Sequence, residues 1–476
     1  MLSLLILVPL IGIVILNLSA RAPARRLAFW FALLIFISQI LLAACRHPVL
    51  WNVEMKQIDT FFKVSLSMDQ ISFIMLLCIG IVSIASLLVA RHTIYDEKEL
   101  FKFVNLLIIT SIGMNGIVLV KDIFTLYIFL EITALASFVL IALEKDRNAI
   151  EGSFKYLILS AIATIMLLTS IALLFMVSGS TSFEAIRQAL NLANNNIILF
   201  AIGLFVCGLA IKGGLVPFHA WVPDAYSSAP AAVSVLLGGI VTKTVGIYTL
   251  IRLLIAVFGF DPSLKTILLA LGALSIVFGA LAAIGQNDMK RMLAYSSISQ
   301  VGYIILGFGC GTFLGIAGAI FHIFNHSIFK SLLFVNSAAV ETRLGTTDMN
   351  KMGGLSSKMP ITGTTSVIGM LSAAGVPPLA GFWSKLMIIV ALWQSGSKTY
   401  SFIAIMASVI TLAYLLIMQR KVFFGKLSIE NENIDEARIG ISTASIMLAV
   451  IIIGSGVFFP LVFNKFIAPI QELIIR

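Results

Sequence analysis

Residues 203–217 read GLFVCGLAIKGGLVP, an apolar run that carries a lysine, two adjacent glycines and a proline. Proline removes a backbone donor and clashes with the preceding helical turn, so it interrupts a helix. In hydrocarbon, a broken helix is tolerated only where it is buried in protein or lines a wet cavity. Gly213, Gly214 and Pro217 therefore predict an interrupted membrane span with Lys212 at the interruption.

A second interruption is predicted at residues 374–379, AGVPPL, where Gly375, Pro377 and Pro378 precede Lys385. The two breaks lie five predicted spans apart. Two five-helix repeats would give this spacing, and an odd number of helices would place the repeats in opposite orientations, a plan common in transporters. The alternative is a pair of unrelated proline kinks.

The composition places the chain in a membrane. Of its 476 residues, 59% are hydrophobic and only 11% are charged, whereas soluble domains carry roughly 45–50% apolar and about 25% charged residues. Soluble enzyme folds are therefore excluded. An outer-membrane barrel is excluded as well, because its strands would alternate apolar and polar residues and runs such as residues 268–285 do not.

The apolar runs predict an all-α polytopic membrane protein with fourteen spans. The predicted spans are 2–20, 27–45, 68–90, 102–120, 123–143, 154–177, 197–218, 230–257, 264–285, 292–309, 313–339, 362–394, 400–420 and 440–464. The predicted units are an N-terminal three-helix segment (1–101), a first repeat (102–257), a second repeat (258–420) and a last loop with its helix (421–476).

The net charge of +10 is read as a topology signal rather than as a nucleic-acid surface. Loops after odd-numbered spans carry about twice as many Lys and Arg residues as the others, which predicts that both termini lie outside the cytoplasm. The four cysteines lack metal-ligand spacing and are interpreted as small apolar residues. No metal or cofactor site and no ATP-binding motif is predicted.

Seven of the ionisable residues inside predicted spans are candidates for the ion pathway, because charge in a membrane is costly and usually functional. They are Glu131, Lys212, Lys243, His322, His326, Lys330 and Lys385. His322, His326 and Lys330 are spaced by four, so they share one helix face about 12 Å long. A chain of such groups suits proton transfer better than cation coordination, since hard cations prefer several oxygen ligands. Sodium remains an alternative through carbonyls at the broken helices.

Each of these residues also has a purely structural interpretation. Glu131 and Lys212 could form a static buried ion pair, although such pairs contribute little stability. Lys330 could extend to the membrane interface, as lysines near span ends do. The histidines could simply hydrogen-bond neighbouring groups. A row of two histidines and a lysine on one face favours the functional interpretation.

Five ordered motifs resemble the antiporter-like subunits shared by respiratory complex I, multisubunit Na⁺/H⁺ antiporters and energy-converting membrane-bound hydrogenases. The motifs are KDIFTLYIFLEITALASFVLIAL (121–143), IKGGLVPFHAWVPDAYSSAPAAVSVLLGGIVTKTVGIY (211–248), QNDMKRMLAYSSISQVGY (286–303), FHIFNHSIFKSLLF (321–334) and GVPPLAGFWSKL (375–386).

This resemblance implies fourteen helices in two inverted five-helix repeats, with helices seven and twelve broken. By motif, Glu131 and Lys212 correspond to the family's ion pair and Lys243 to its connecting lysine. His322 and His326 fall in the helix-eleven link, and Lys385 corresponds to the terminal charge of the mid-membrane axis. Implied partners are other membrane subunits, antiporter-like neighbours among them, together with a redox module and the lipid bilayer.

The branch of the family is less sharply indicated. Lys385 and the helix-eleven motif look most like the hydrogenase and antiporter branches, and Gln300 stands where many relatives carry histidine. Three hypotheses follow: an ion-translocating subunit of a redox-driven complex, a subunit of a stand-alone Na⁺/H⁺ antiporter, or a structural subunit with a vestigial channel. The filled charged positions argue against the third.

Overall fold

The structure is a computed structural model that describes residues 2–18, 22–45, 58–61, 64–192, 196–259, 261–427 and 433–474. It is almost entirely helical. In these ranges twelve helices are long and apolar enough to cross a membrane, and two further apolar helices are shorter. The prediction of an all-α polytopic membrane protein is confirmed.

The principal helices are joined by connections of unequal length. In chain order they are α1 (Leu4–Leu18), α2 (Ala22–Ala44), α3 (Gln70–Thr93), α4 (Glu97–Leu119), α5 (Ile123–Ile141), α6 (Arg147–Ser178), α7 (Phe183–Leu192), α8 (Asn196–Gly213), α9 (Trp221–Ser228), α10 (Ala231–Phe258), α11 (Pro262–Ile284), α12 (Met289–Gly309), α13 (Phe313–Leu344), α14 (Pro360–Ala374), α15 (Ala380–Gln394), α16 (Lys398–Phe424) and α17 (Ile439–Val457).

A small β-hairpin lies in the predicted loop between the second and third spans. Strands β1 (Ile58–Phe61) and β2 (Val64–Ser67) pair antiparallel, with Ile58 opposite Ser67. We call the membrane surface that carries this hairpin the hairpin face. The short helix α7 also lies in a predicted loop. Four-residue strands and a ten-residue amphipathic helix are too short to stand out against the long apolar runs.

Both predicted helix breaks are present. α8 ends at Gly213, and Gly214 adopts the left-handed conformation (φ 69°), which glycine reaches without steric cost. A short helix after the break, α9, runs from Trp221 to Ser228. Likewise α14 ends at Ala374, with Gly375 at φ 86°, before α15 begins at Ala380.

Helices α5 and α12 begin on opposite faces of the bundle and have the same arrangement of hydrogen bonds at their first turn. The Asp122 carboxylate accepts the Thr125 amide at the start of α5, and the Asp288 carboxylate accepts the Arg291 amide at the start of α12. Each aspartate also accepts a hydrogen bond from a threonine hydroxyl. Thr181, which follows α6, donates to Asp122, and Thr347, which follows α13, donates to Asp288. Inverted repeats would produce this pattern, and the repeat boundaries themselves stay a prediction.

α10 crosses the protein core directly behind the first break. Segments Leu237–Val241 and Lys243–Tyr248 are π-helical, a geometry often found at functional sites. The helix packs closely against α8: a Cβ added at Gly246 would lie 2.2 Å from the Gly213 Cα. Glycine at position 246 therefore sets how near the two helices approach.

We expect Gly246→Ala to destabilise the protein. The added methyl group would push against the Gly213 backbone, and overpacking of this kind costs about 1–3 kcal/mol. Thermal unfolding in detergent should show a lower midpoint. The matched control is Gly203→Ala in α8, where a Cβ meets nothing within 4 Å. An unchanged midpoint for Gly246→Ala would contradict the packing argument.

Candidate functional site

Glu131 and Lys212 form an ion pair beside the first helix break. Lys212 occupies the last turn of α8, and its Nζ donates to Glu131 Oε1 on α5 at 3.0 Å. The lysine side chain is fully buried and the glutamate is 24% exposed. The pair predicted from the sequence is therefore in direct contact, with its carboxylate nearer the outer surface of the helix bundle.

Two hydroxyls of α6 complete this pair. Lys212 Nζ also donates to Ser160 Oγ at 2.9 Å, and Thr164 Oγ1 donates to Glu131 Oε1 at 2.7 Å. Ser160 and Thr164 are one helical turn apart, so they share a face. Each charged partner thus has a hydroxyl of its own. Neither residue was predicted from the sequence, although their spacing of four on a membrane helix was a usable signal.

Lys243 lies at the start of the second π-helical segment of α10 and is fully buried. Its ammonium donates to the Gly238 carbonyl of the same helix. Among the described residues, no direct hydrogen bond or ion pair joins it to Lys212 or His322. The predicted connecting lysine is therefore placed in the core but is not in hydrogen-bond contact with its neighbours along the proposed axis.

His322 on α13 is held from both sides. Its Nδ1 lies 2.9 Å from Ser384 Oγ on α15, and its Nε2 lies 3.2 Å from Gln300 Oε1 on α12. The Gln300 amide nitrogen donates in turn to Thr411 Oγ1 at 3.5 Å. The glutamine that departs from the family pattern is therefore a direct partner of the predicted relay histidine.

Lys385 and His326 lie on either side of His322. Lys385 Nζ donates to the Ala373 carbonyl at the end of α14 (2.8 Å) and lies 4.4 Å from the centroid of the Tyr303 ring. The rings of His322 and His326 are 6.2 Å apart. Neither ring nitrogen of His326 has a hydrogen-bond partner among the described residues. Buried polar atoms are nearly always satisfied, by protein or by ordered water.

Lys330 is fully buried rather than extended to the interface. Its ammonium donates to Ser296 Oγ (2.6 Å) and to the Leu293 carbonyl (3.1 Å), both on α12. Ser296 is also 2.6 Å from the Tyr414 hydroxyl of α16. The snorkelling alternative does not describe this lysine. Together, His322, His326, Lys330 and Lys385 form one buried polar cluster between α12, α13 and α15.

An ionic cluster that the sequence analysis did not single out lies on the face opposite the hairpin. Asp224 of α9 accepts hydrogen bonds from Lys155 of α6 and from Arg291 of α12, both at 2.6 Å. All three side chains are partly exposed. From the sequence alone, charged residues near loops are interpreted as solvated surface residues. Their positions in the chain give no sign that these three side chains meet.

Metal binding has little support in the donor set. Within the described parts of the chain, no group of three or more His, Cys, Asp or Glu side chains is arranged to hold a metal ion. The buried cluster consists mainly of nitrogen donors and hydroxyls, which suit hydrogen-bond relays and proton transfer.

The chain is similar to proteins of known membrane complexes. The model of a transmembrane family described as NADH:quinone oxidoreductase/Mrp antiporter matches residues 120–411, which include all seven ionisable residues above. A Na⁺/H⁺ antiporter subunit of Alkalihalophilus pseudofirmus is 34% identical over 367 residues, 77% of this chain and 74% of that protein.

Two further similarities extend this result. An NADH-quinone oxidoreductase subunit of Desulforudis audaxviator is 35% identical over 321 residues, 67% of this chain and 64% of that protein. A chain in the structure of the membrane-bound sulfane sulfur reductase, an archaeal respiratory membrane complex, superposes with a TM-score of 0.90. It is 29% identical, and the match covers all of this chain and 98% of that one.

We expect Glu131→Leu to destabilise the protein more than the double variant Glu131→Leu/Lys212→Met. The single change leaves Lys212 buried without its carboxylate, which costs about 3–5 kcal/mol for a fully buried pair and less here because Glu131 is partly exposed. Removing both charges avoids that penalty. Thermal unfolding of the two purified variants in detergent measures the difference. Equal unfolding midpoints for the single and double variants would show that an unpaired Lys212 carries no penalty.

Proposed function

The chain belongs to the NADH:quinone oxidoreductase/Mrp antiporter transmembrane family, and we propose from this that it is an ion-translocating subunit of a redox-driven complex. Antiporter-like membrane subunits occur in Mrp antiporters and in complexes related to complex I. In this proposal the chain moves protons along an axis of Glu131, Lys212, Lys243, His322, His326, Lys330 and Lys385, with Na⁺ as an alternative or additional ion.

The observation that carries the proposal is the 3.0 Å contact between Lys212 and Glu131 at a helix break. The free energy of charging a buried lysine depends on the carboxylate beside it. If the pair separates, the ammonium loses that stabilisation and releases its proton more readily. If the pair closes, the charged form is favoured again. A change in pair distance can therefore drive proton movement without any cofactor in this chain.

The second half of the axis supports the same mechanism. His322 has a hydrogen-bond partner on each ring nitrogen, so a proton taken up at one nitrogen can be matched by release at the other. His326 lies beside it and is influenced electrostatically by Lys243, Lys330 and Lys385. Its two unpartnered nitrogens favour a hydrated cavity at this point. Lys243 then acts as the electrostatic link between the two halves.

The proposed setting is the cytoplasmic membrane, with both termini outside. The proposed partners are other membrane subunits, antiporter-like neighbours included, and a redox module that supplies the energy. Glu131 is the most exposed member of the axis, and it lies on a bundle surface where α5 and α6 present apolar side chains such as Ile128 and Ile162. A neighbouring subunit on this surface could act electrostatically on the ion pair.

A stand-alone Na⁺/H⁺ antiporter is the second candidate. It is favoured by the 34% identity to an antiporter subunit, which equals within a point the identity to the NADH-quinone oxidoreductase subunit. In that case an imposed ion gradient, rather than electron transfer, would drive the same axis. The two candidates differ in the energy source and share the residues.

Lys212→Ala is expected to abolish coupled ion transport, because the axis loses its titratable group at the break. The purified native complex would be reconstituted in proteoliposomes and supplied with candidate electron donors, with sodium and a protonophore varied. We expect the rate to fall by about tenfold or more. Glu131→Gln should do the same, while Glu131→Asp retains the charge and part of the activity.

Lys102→Met is the matched control for this experiment, since Lys102 is a half-exposed lysine that pairs with Glu99 on its own helix. Normal assembly of each variant is checked by the subunit composition of the purified complex. Wild-type transport in an assembled Lys212→Ala complex would refute the axis. Sodium-dependent proton exchange under an imposed gradient, without any redox-driven transport, would favour the stand-alone antiporter.

Gln300→Leu is expected to slow transport several-fold, because His322 Nε2 loses its partner while the volume of the side chain is nearly kept. Gln300→His should retain transport, since an imidazole can both accept and donate at this position. The same proteoliposome assay measures both variants. Equal rates for Gln300→Leu and the unmodified complex would exclude a positioning role for the glutamine.

A further inference from the structure

A cavity of about 780 Å³ opens on the hairpin face, between strand β2, helix α7 and the end of α10. We call it the hairpin vestibule. Ser67, Lys121 and Arg187 line its wall, and Asp69 and Arg252 line its inner part. None of the seven axis residues proposed above contributes to its lining. It is therefore an opening, bordered by charged and apolar side chains, that the proposed axis does not yet use.

A buried ion pair lies at the inner end of the hairpin vestibule. Arg252 is 3% exposed, and its Nη1 donates to Asp69 Oδ2. Its Nε and Nη2 are buried and have no hydrogen-bond partner among the described residues. Because guanidinium donors are rarely left unsatisfied, these two groups call for water or another oxygen ligand at this point.

Asp69 and Lys121, two charged groups at the opening, both have lowered pKa values. Burial raises the pKa of Asp69, but Arg252 and Lys121 beside it outweigh burial and lower that pKa to about 2. Burial and the nearby Arg252 lower the pKa of Lys121 to about 8, against the opposing effect of Asp69. Near neutral pH, Asp69 thus remains a carboxylate. Lys121, 4.0 Å from it, remains largely protonated at neutral pH but loses its proton at a lower pH than an exposed lysine.

Polar side chains of α10 extend from this pair towards the core. Lys243 and Tyr248 bound a π-helical segment, whose i to i+5 hydrogen bonds bring residues five apart close to one face. Arg252 follows Tyr248 by four residues in an α-helical segment, so it continues that face. Tyr248 and Arg252 therefore share a face of α10. The Lys243 ammonium is bonded at the Gly238 carbonyl, and among the described residues no direct hydrogen bond joins it to Tyr248.

Hydroxyls of neighbouring helices line the same face of α10. The Tyr248 hydroxyl and the Ser72 hydroxyl both donate to the Val118 carbonyl of α4, each at 3.0 Å. Ser72 also donates its backbone amide to Asp69 Oδ1. The polar groups thus run from Tyr248 through Ser72 to Asp69 without an intervening apolar layer of side chains.

We propose that the hairpin vestibule is the mouth of a proton pathway that runs along α10 from Lys243, with the Arg252–Asp69 pair as its constriction. The inference rests on the proposed function and adds a connection from the first half of the axis to the hairpin face. Protons fit these groups better than metal cations, because they offer an ammonium, a guanidinium and hydroxyls rather than several oxygen ligands.

The test is side-specific modification of a cysteine in the wall of the hairpin vestibule. Ser67→Cys places a thiol in the vestibule wall, and the native Ser67 hydroxyl has no hydrogen-bond partner among the described residues, so little is lost. Ser263→Cys is the matched control, since Ser263 is exposed at the start of α11 and does not line the cavity. Both are made in the native complex after Cys45, which is exposed, and Cys207 are replaced by serine.

The probe is the membrane-impermeant, negatively charged reagent methanethiosulfonate ethylsulfonate, applied to either side of proteoliposomes. We expect both cysteines to react from the same side. Only modification of Ser67→Cys should slow redox-driven proton transport, by about fivefold or more, because a fixed sulfonate traps the cationic groups of the constriction. Mass spectrometry of the labelled chain measures the extent of reaction.

Complete labelling of Ser67→Cys with unchanged transport would overturn the pathway, as would failure of this cysteine to react from either side. The proposed function is judged separately, by Lys212→Ala without reagent. If Lys212→Ala abolishes transport and labelled Ser67→Cys does not affect it, the axis stands and only the hairpin vestibule is excluded. If labelling slows sodium uptake but not proton movement, the hairpin vestibule serves sodium rather than protons, and the proposed proton pathway is wrong.

Discussion

Charge and broken backbone cannot be left unpaired in hydrocarbon, and the arrangement of the first half of this protein follows from that cost. The chain breaks at Gly213, which frees carbonyls at the end of α8; the Trp221 indole returns to donate to one of them, Ile211. Lys212 enters the core at the same point and takes a carboxylate from α5 and a hydroxyl from α6 as partners. One local interruption thus requires partners from three other elements, and it fixes their register around a titratable group.

The two halves of the protein place different side chains at corresponding positions in the membrane. Asp122 and Asp288 are separated by the same number of residues as Thr181 and Thr347, so the helices that follow the two aspartates can be compared without gaps. In that comparison Ser160 corresponds to His326 and Thr164 to Lys330. The hydroxyls of α6 hold a charge pair in place, whereas the residues at the same positions on α13 are themselves titratable. In the proposed function, one half would contribute an ion pair that opens and closes, and the other a row of titratable groups on a common helix face.

The membrane helices and their two interruptions could be predicted from the sequence. Residues whose role depends on contacts with other helices could not. Long apolar runs and the proline–glycine interruptions predicted the helical architecture and both breaks, because each is costly in a membrane unless it has a purpose. The contact between Glu131 and Lys212 was expected from the motifs. Ser160, Ser384 and Tyr303 were not expected, since single hydroxyls and rings are common in membrane helices and acquire meaning only through what they touch. Asp69 and Arg252 were missed because they lie near span ends, where charges usually indicate only topology.

Charges at the two faces also constrain how ions could reach the core. On the hairpin face Arg252 is paired with Asp69, and on the opposite face Asp224 is paired with Lys155 and Arg291. Each of these pairs lies beside α8, α9 or α10, the elements that carry Lys212 and Lys243. In the proposed function, an ion that entered from either face along these helices would first disturb one of these ion pairs and so change the local potential. Entry and the state of Glu131 and Lys212 are then coupled electrostatically, because separated charges act on one another strongly where water is scarce. Under the proposed function, ion pairs at both faces would therefore tie ion movement to an energy source better than an open channel would.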